Sequence, residues 1–100
     1  MNRVFLQLGS NLGERLDLLD KAVVAINHNI GVVLTKSKIY ESDPWRVDGQ
    51  LKYLNQIVEL KTKFSPLETL KIALQIEDQL GRIRLEKWGE RLIDIDIIFY

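Results

Sequence analysis

The stretch LIDIDIIFY, residues 92–100, sets Asp94 and Asp96 at alternate positions of an otherwise apolar segment. With Ile93, Ile95 and Ile97 between and beside them, the alternation has period two, the pattern of a half-buried β-strand. Side chains two apart in a strand face the same way, so both carboxylates project together, ~6.6–7 Å apart along the chain. Such a strand needs neighbours, and the residues before it supply them.

Immediately upstream lies a charged connector, RIRLEKWGER, residues 82–91. Before that comes a helix with a clear start: Ser65 as N-cap, Pro66 at the first helical position and Glu68 completing a capping box. Leu67, Leu70, Ala73, Leu74 and Leu80 supply its apolar stripe, and Gly81 its stop. LKYLNQIVEL, residues 51–60, reads as a strand, as does the β-branched run VVLTKSKIY, residues 32–40. The segment ESDPWRVDGQ between them is longer than a hairpin needs, and its Trp marks it as a functional loop. Near the start, RVFLQL (residues 3–8) puts Val4, Leu6 and Leu8 on one face until Gly9 breaks the run. Asn11, with Glu14 three residues on, then caps a helix carrying Leu16, Leu19, Ala22, Val23 and Ile26 as far as Gly31. His28 sits near its end, where a cation suits the helix dipole, and takes no catalytic role.

The order is therefore β-α-β-β-α-β, an α+β pattern that packs as a ferredoxin-like sandwich, two helices on one face of an antiparallel sheet. Right-handed crossovers bring the first and last strands together beside the third. A chain of 100 residues, 46% hydrophobic, makes one domain with a substantial core. The absence of Cys and the single His exclude disulfides and Cys/His zinc sites, leaving carboxylates as hard ligands of the magnesium type. Fourteen basic residues balance fourteen acidic ones, so no global field draws the chain to nucleic acid or an anionic membrane. With no signal-peptide pattern or membrane-length apolar run, a cytoplasmic location is expected.

Several groups are equipped for chemistry. Asp94 and Asp96 suit a divalent cation and equally the wet face of an edge strand. Arg82, Arg84, Lys87 and Arg91 outnumber Glu86 and Glu90, which fits either a triphosphate or a solvated connector. Trp88 needs the core or a nucleobase to cover. Tyr53 and Asn55 share one strand face, a ring beside an amide that donates and accepts, matched to a flat heteroaromatic with amide-like edges or to an ordinary half-exposed sheet. Glu77, on the Leu70, Ala73 and Leu74 side of the second helix, is in reach of Arg82 or a ligand; read alone it is a surface ion pair. The GSNLG turn lacks the spacing and Lys of a P-loop.

LGSNLG (8–13), YESDPW (40–45), YLNQIVEL (53–60) and above all LGRIRLEKWGERLIDIDIIFY (80–100) together resemble 6-hydroxymethyl-7,8-dihydropterin pyrophosphokinases. The resemblance implies transfer of pyrophosphate from ATP to the pterin hydroxymethyl group, with release of AMP, in folate biosynthesis. It implies two magnesium ions on Asp94 and Asp96, with Arg82 and Arg91 joining them in catalysis. ATP would lie against Glu77, Arg82, Arg84, Lys87, Trp88 and Arg91, and the pterin against Ser42, Pro44, Trp45, Tyr53 and Asn55. Lys87, Glu90 and Arg46 depart from the usual Arg, Pro and Gly of the family. Members usually continue through a Gly-rich turn, a further strand, an L-P-H-P-like segment and a late arginine. Residues 1–100 are thus expected to form one pyrophosphokinase domain, C-terminally incomplete relative to the family. A non-catalytic ferredoxin-like module that binds a ligand or another protein remains the alternative from a different class. An RNA-recognition role fits less well, because the strands offer only Phe5 and Tyr53 for base stacking.

Overall fold

The computed structural model describes residues 1–11, 13–42, 52–81 and 92–100. The chain runs β1 (Asn2–Ser10), α1 (Arg15–Asn29), β2 (Val32–Lys36), β3 (Tyr40–Ser42), β4 (Tyr53–Thr62), α2 (Pro66–Leu80) and β5 (Asp94–Phe99). Its strands form an antiparallel sheet in the order β2-β4-β1-β5, with β3 also paired to β4. This is the expected ferredoxin-like arrangement, with the last strand beside the first and the first beside the long strand β4.

The alternation in β1 works as its sequence dictates. Val4, Leu6 and Leu8 are fully buried and meet Val58 and Leu60 of β4, Ile93 and Ile95 near β5, and Leu19, Ala22, Ile26, Ala73 and Ile76 from the helices. Each large aliphatic so buried contributes ~1.5–3 kcal/mol of transfer free energy, which makes this one-sided core the main stabiliser of the sheet. The opposite face carries Arg3, Phe5 and Gln7 of β1 opposite Lys61, Glu59 and Ile57 of β4.

Several boundaries differ from the sequence reading, each for a local reason. Gly9 does not break β1: it pairs with Asn55 on one side and Asp94 on the other, and the strand continues through Ser10. Residues 32–40 do not form one strand. A register shift between Val33 and Thr35 bends it, and at Ser37 the side-chain hydroxyl accepts the Ile57 N–H (2.9 Å) while the Ser37 N–H donates to the Ile57 carbonyl (2.8 Å). The ladder is thus kept through a side chain, and β3 resumes at Tyr40. β4 extends two residues past its expected end because Thr62 pairs with Asn2 and donates its hydroxyl to the Ile30 carbonyl at 2.6 Å. Gly31 is needed at that crossing, since a Cβ there would stand 2.0 Å from the Lys61 carbonyl oxygen.

The helices show one success and two corrections. α2 starts as expected: the Ser65 hydroxyl accepts from the Glu68 N–H (3.1 Å), and the Glu68 carboxylate accepts from the Ser65 N–H (3.0 Å). α1 is capped at Glu14, with no side-chain capping bond, and not at Asn11; Leu18 takes the buried place and Leu16 faces out. α2 also buries a different face from the expected one. Thr69, Ala73, Ile76 and Glu77 are covered, whereas Leu67, Leu70 and Leu74 are exposed. Its C-cap, Gly81, has φ −97°, so no left-handed residue ends it. Among the described residues, no helix is long and apolar enough to cross a membrane.

Candidate active site

Gly9 is the hinge of the site. On the central strand β1 it lies in register with Asn55 of β4 and Asp94 of β5, so one residue without a side chain sits between the amide and the carboxylate. Strands are ~4.8 Å apart, which separates the two backbones by roughly 10 Å across a shallow floor. A Cβ on Gly9 would stand 3.1 Å from Asn55 Oδ1 and 3.6 Å from Tyr53 Cδ1. Gln7, two residues back on the same face, is in register with Asp96. The resulting cleft has a volume of about 410 Å³ and is lined by Gln7, Gly9, Ser42, Tyr53, Asn55, Asp94 and Asp96.

One wall is held by short strand β3. The Asn55 amide group is buried and donates from Nδ2 to Ser42 Oγ at 2.9 Å and to the Tyr40 carbonyl at 3.3 Å. Those bonds fix the amide plane, so that Oδ1 is the atom turned over Gly9. Tyr53, half-buried and on the same strand face, adds a ring. Gln7 Nε2 reaches across to the Tyr40 hydroxyl at 3.2 Å, bracing the floor against β3. The Arg15 guanidinium donates to the Lys52 carbonyl at 2.7 Å, which secures the entry to β4.

The opposite wall is β5. Asp94 is half-buried and Asp96 exposed, with Ile95 buried between them, as the alternation requires. Ser10 Oγ donates to the Leu92 carbonyl at 2.6 Å and anchors the run into the strand. Glu77 is placed differently from its sequence reading as a surface ion pair. It is buried on the core side of α2, and Oε2 accepts the backbone N–H of Ile95 at 2.6 Å. Two aspartates on one face, open to a polar cleft, are a donor set that magnesium accepts. The ion takes one or two carboxylates and fills its remaining octahedral positions with water and phosphate oxygens. Among the described residues no third acidic or histidine side chain joins them closely enough to complete an all-protein cage.

The structure thus brings together Ser42, Tyr53, Asn55, Asp94 and Asp96, with Glu77 behind β5. Pro44, Trp45, Arg82, Arg84, Lys87, Trp88 and Arg91 lie outside the described residues. Two lining residues are missed by the sequence reading: Gly9, taken there as a strand break, and Gln7, given no role there. The available signal was their period-two alignment with Asp94, Asp96 and Asn55 once the strand order is drawn.

Residues 5–100 match the model of the 7,8-dihydro-6-hydroxymethylpterin-pyrophosphokinase (HPPK) family. The chain belongs to that family. Among HPPK relatives, the 2-amino-4-hydroxy-6-hydroxymethyldihydropteridine pyrophosphokinase of Bacillus subtilis is 42% identical over 100 residues, 99% of this chain and 60% of its own length. The protein of the same name from Porphyromonas gingivalis is 39% identical, covering 97% of this chain and 68% of its own. The chain therefore spans about two thirds or less of the HPPK relatives it matches. A crystal structure of Plasmodium falciparum HPPK-DHPS wild type with SDX-DHP superposes with a TM-score of 0.75 over 99% of this chain and 28% of that one. At 20% identity that likeness establishes the shared fold.

Proposed function

We propose that this chain carries the pterin-binding and metal-binding walls of an HPPK that transfers pyrophosphate from ATP to 6-hydroxymethyl-7,8-dihydropterin in folate biosynthesis. The observation that carries the reading is the register of Gly9 with both Asn55 and Asp94, which makes one cleft of the amide wall and the acidic wall. Family membership supplies the substrates; the cleft supplies groups chemically suited to them.

In this reading the pterin lies over Gly9, with its ring against Tyr53 and its amide-like edge on Asn55. Asn55 is suited to discriminate because its orientation is set beforehand by Ser42 and Tyr40, so little side-chain freedom is lost on binding. Asp94 and Asp96 hold magnesium, two ions in the full assembly. Magnesium, when bound, offsets the charge of the triphosphate and aligns it. The hydroxymethyl oxygen of the pterin attacks the β-phosphorus of ATP, the bond from that phosphorus to the α-phosphate bridging oxygen breaks, and AMP leaves while the hydroxyl proton passes to solvent. No covalent intermediate on the protein is required; alignment and charge compensation carry the rate. Arg82 and Arg91 are assigned to the transferring phosphates, and Arg84, Lys87 and Trp88 to the nucleotide side, while Glu77 stands behind β5 on the Ile95 N–H. Ser42, Pro44 and Trp45 belong to the pterin edge. Residues 1–100 act as one domain, cytoplasmic, without nucleic-acid or membrane partners.

Calorimetric titration tests this. The wild-type chain should bind the pterin, and it should bind a non-hydrolysable ATP analogue only with magnesium present. Asp96→Ala should lose the magnesium-dependent nucleotide binding by about tenfold or more while retaining the pterin. Undiminished nucleotide binding in Asp96→Ala would overturn the metal assignment, and absence of pterin binding in the wild type would favour a scaffold without turnover.

A further inference from the structure

We infer that Glu77 is a positioning residue for the Asp94–Asp96 pair, acting through the backbone of Ile95; the inference rests on the magnesium reading of that pair. Among the described residues β5 pairs with β1, with Asp94 opposite Gly9, Ile95 opposite Leu8 and Asp96 opposite Gln7. In an antiparallel ladder, alternate residues exchange hydrogen bonds with the partner strand while the N–H groups between them face away. The Ile95 N–H faces away, and its acceptor is the Glu77 carboxylate at 2.6 Å. The bond joins the last turn of α2 to the backbone midway between the two aspartates.

A neutral aliphatic would fill the place of Glu77 beside Ile76 and Ala73 at lower desolvation cost, since both the side chain and Ile95 are buried. The carboxylate does what an aliphatic cannot: it gives a charge-assisted acceptor to a buried N–H and fixes the rotation of β5 about its axis. Rotation matters here because Asp94 and Asp96 must both deliver oxygens at ~2.0–2.1 Å to an ion with narrow octahedral tolerance. The amide wall is independent of this device. Tyr53 and Asn55 lie on β4, two strands away, and Asn55 is tied to β3.

The test separates the two walls. Glu77→Leu keeps the bulk and removes the acceptor; Glu77→Gln keeps an acceptor at the same reach. Mn2+ stands in for magnesium and is followed by paramagnetic broadening at Asp94 and Asp96, while pterin is followed by its fluorescence. Glu77→Leu should weaken Mn2+ by about tenfold or more, the usual consequence of losing a partner behind a metal ligand. It should leave pterin affinity within about twofold, because distant sites behave independently. Glu77→Gln should restore most of the Mn2+ affinity. In the wild type itself, the Ile95 amide must exchange as slowly as the β5 amides bonded to β1, a measurement that stands even if Glu77→Leu does not fold. Unchanged Mn2+ affinity in Glu77→Leu, equal losses of Mn2+ and pterin, failure of Glu77→Gln to rescue, or rapid exchange at Ile95 overturns the inference. No Mn2+ broadening in the wild type overturns the magnesium reading and this inference with it.

Discussion

Gly9 puts a backbone surface where every other residue would put a side chain, between Asn55 and Asp94. Gly9→Ala would set its methyl carbon 3.1 Å from Asn55 Oδ1, tighter than ordinary contact, and raise the cleft floor. The strand conformation tolerates alanine, so stability should change by less than about 1 kcal/mol. Pterin affinity should fall by about tenfold, or ~1.4 kcal/mol. Fluorescence titration alongside thermal melting separates the two effects, and equal pterin affinity in the variant would remove Gly9 from the floor. The two aspartates were legible in the sequence because period two alone puts them on one face. Glu77 was not, because its partner is a main-chain N–H, and nothing in a sequence marks which amide an acid will meet.

At the scale of elements, boundaries read well where side chains write them. The Ser65–Glu68 box around Pro66 determines where α2 begins, and both of its bonds are present. Ser65→Ala should destabilise the chain by about 1 kcal/mol, seen as a lower urea midpoint with unchanged slope. An unchanged midpoint would mean that water replaces the cap without loss. The buried face of α2 was less legible, because its sequence carries two apolar stripes. Leu67, Leu70 and Leu74 form one; Ala73, Ile76 and Leu80 form the other, and the second faces the sheet. Periodicity states that a stripe exists and leaves tertiary packing to choose between two. The single strand expected over 32–40 failed for a related reason, since the Ser37 hydroxyl can replace a main-chain acceptor and let the strand bend.

For the whole molecule, the α/β order of the segments was sufficient to give the strand order, because few connections satisfy right-handed crossover and short loops. The face of the sheet away from the helices has a polar clamp across three strands: the Arg3 guanidinium donates to Glu59 at 2.5 Å and the Thr35 hydroxyl donates to it at 3.0 Å. The Arg3 hydrogen bond, then that of Thr35, hold the Glu59 carboxyl below its ordinary value of 4.5, and the Ser65 cap does the same for Glu68. A carboxyl whose folded pKa is depressed stabilises the fold above its unfolded pKa, and that contribution is lost as pH falls through the lowered value. Urea midpoints should therefore hold near neutrality and decline below about pH 4.5, with a shallower decline in Glu59→Gln. Identical acid profiles for the two proteins would show that solvent screens the clamp completely.

The pairing of β5 with β1 also governs timing. Ser10 bonds Leu92 across 82 residues, and Asn2 bonds Tyr100 across 98, so the acidic wall is joined to the floor by the longest loop closures in the described chain. Such contacts are entropically costly and slow to form. β1, β4 and the helices can assemble beforehand with the amide wall in place, but the two aspartates reach it only when β5 docks. On the magnesium reading proposed above, the paired seat for the ion therefore exists only in molecules whose β5 has docked on β1.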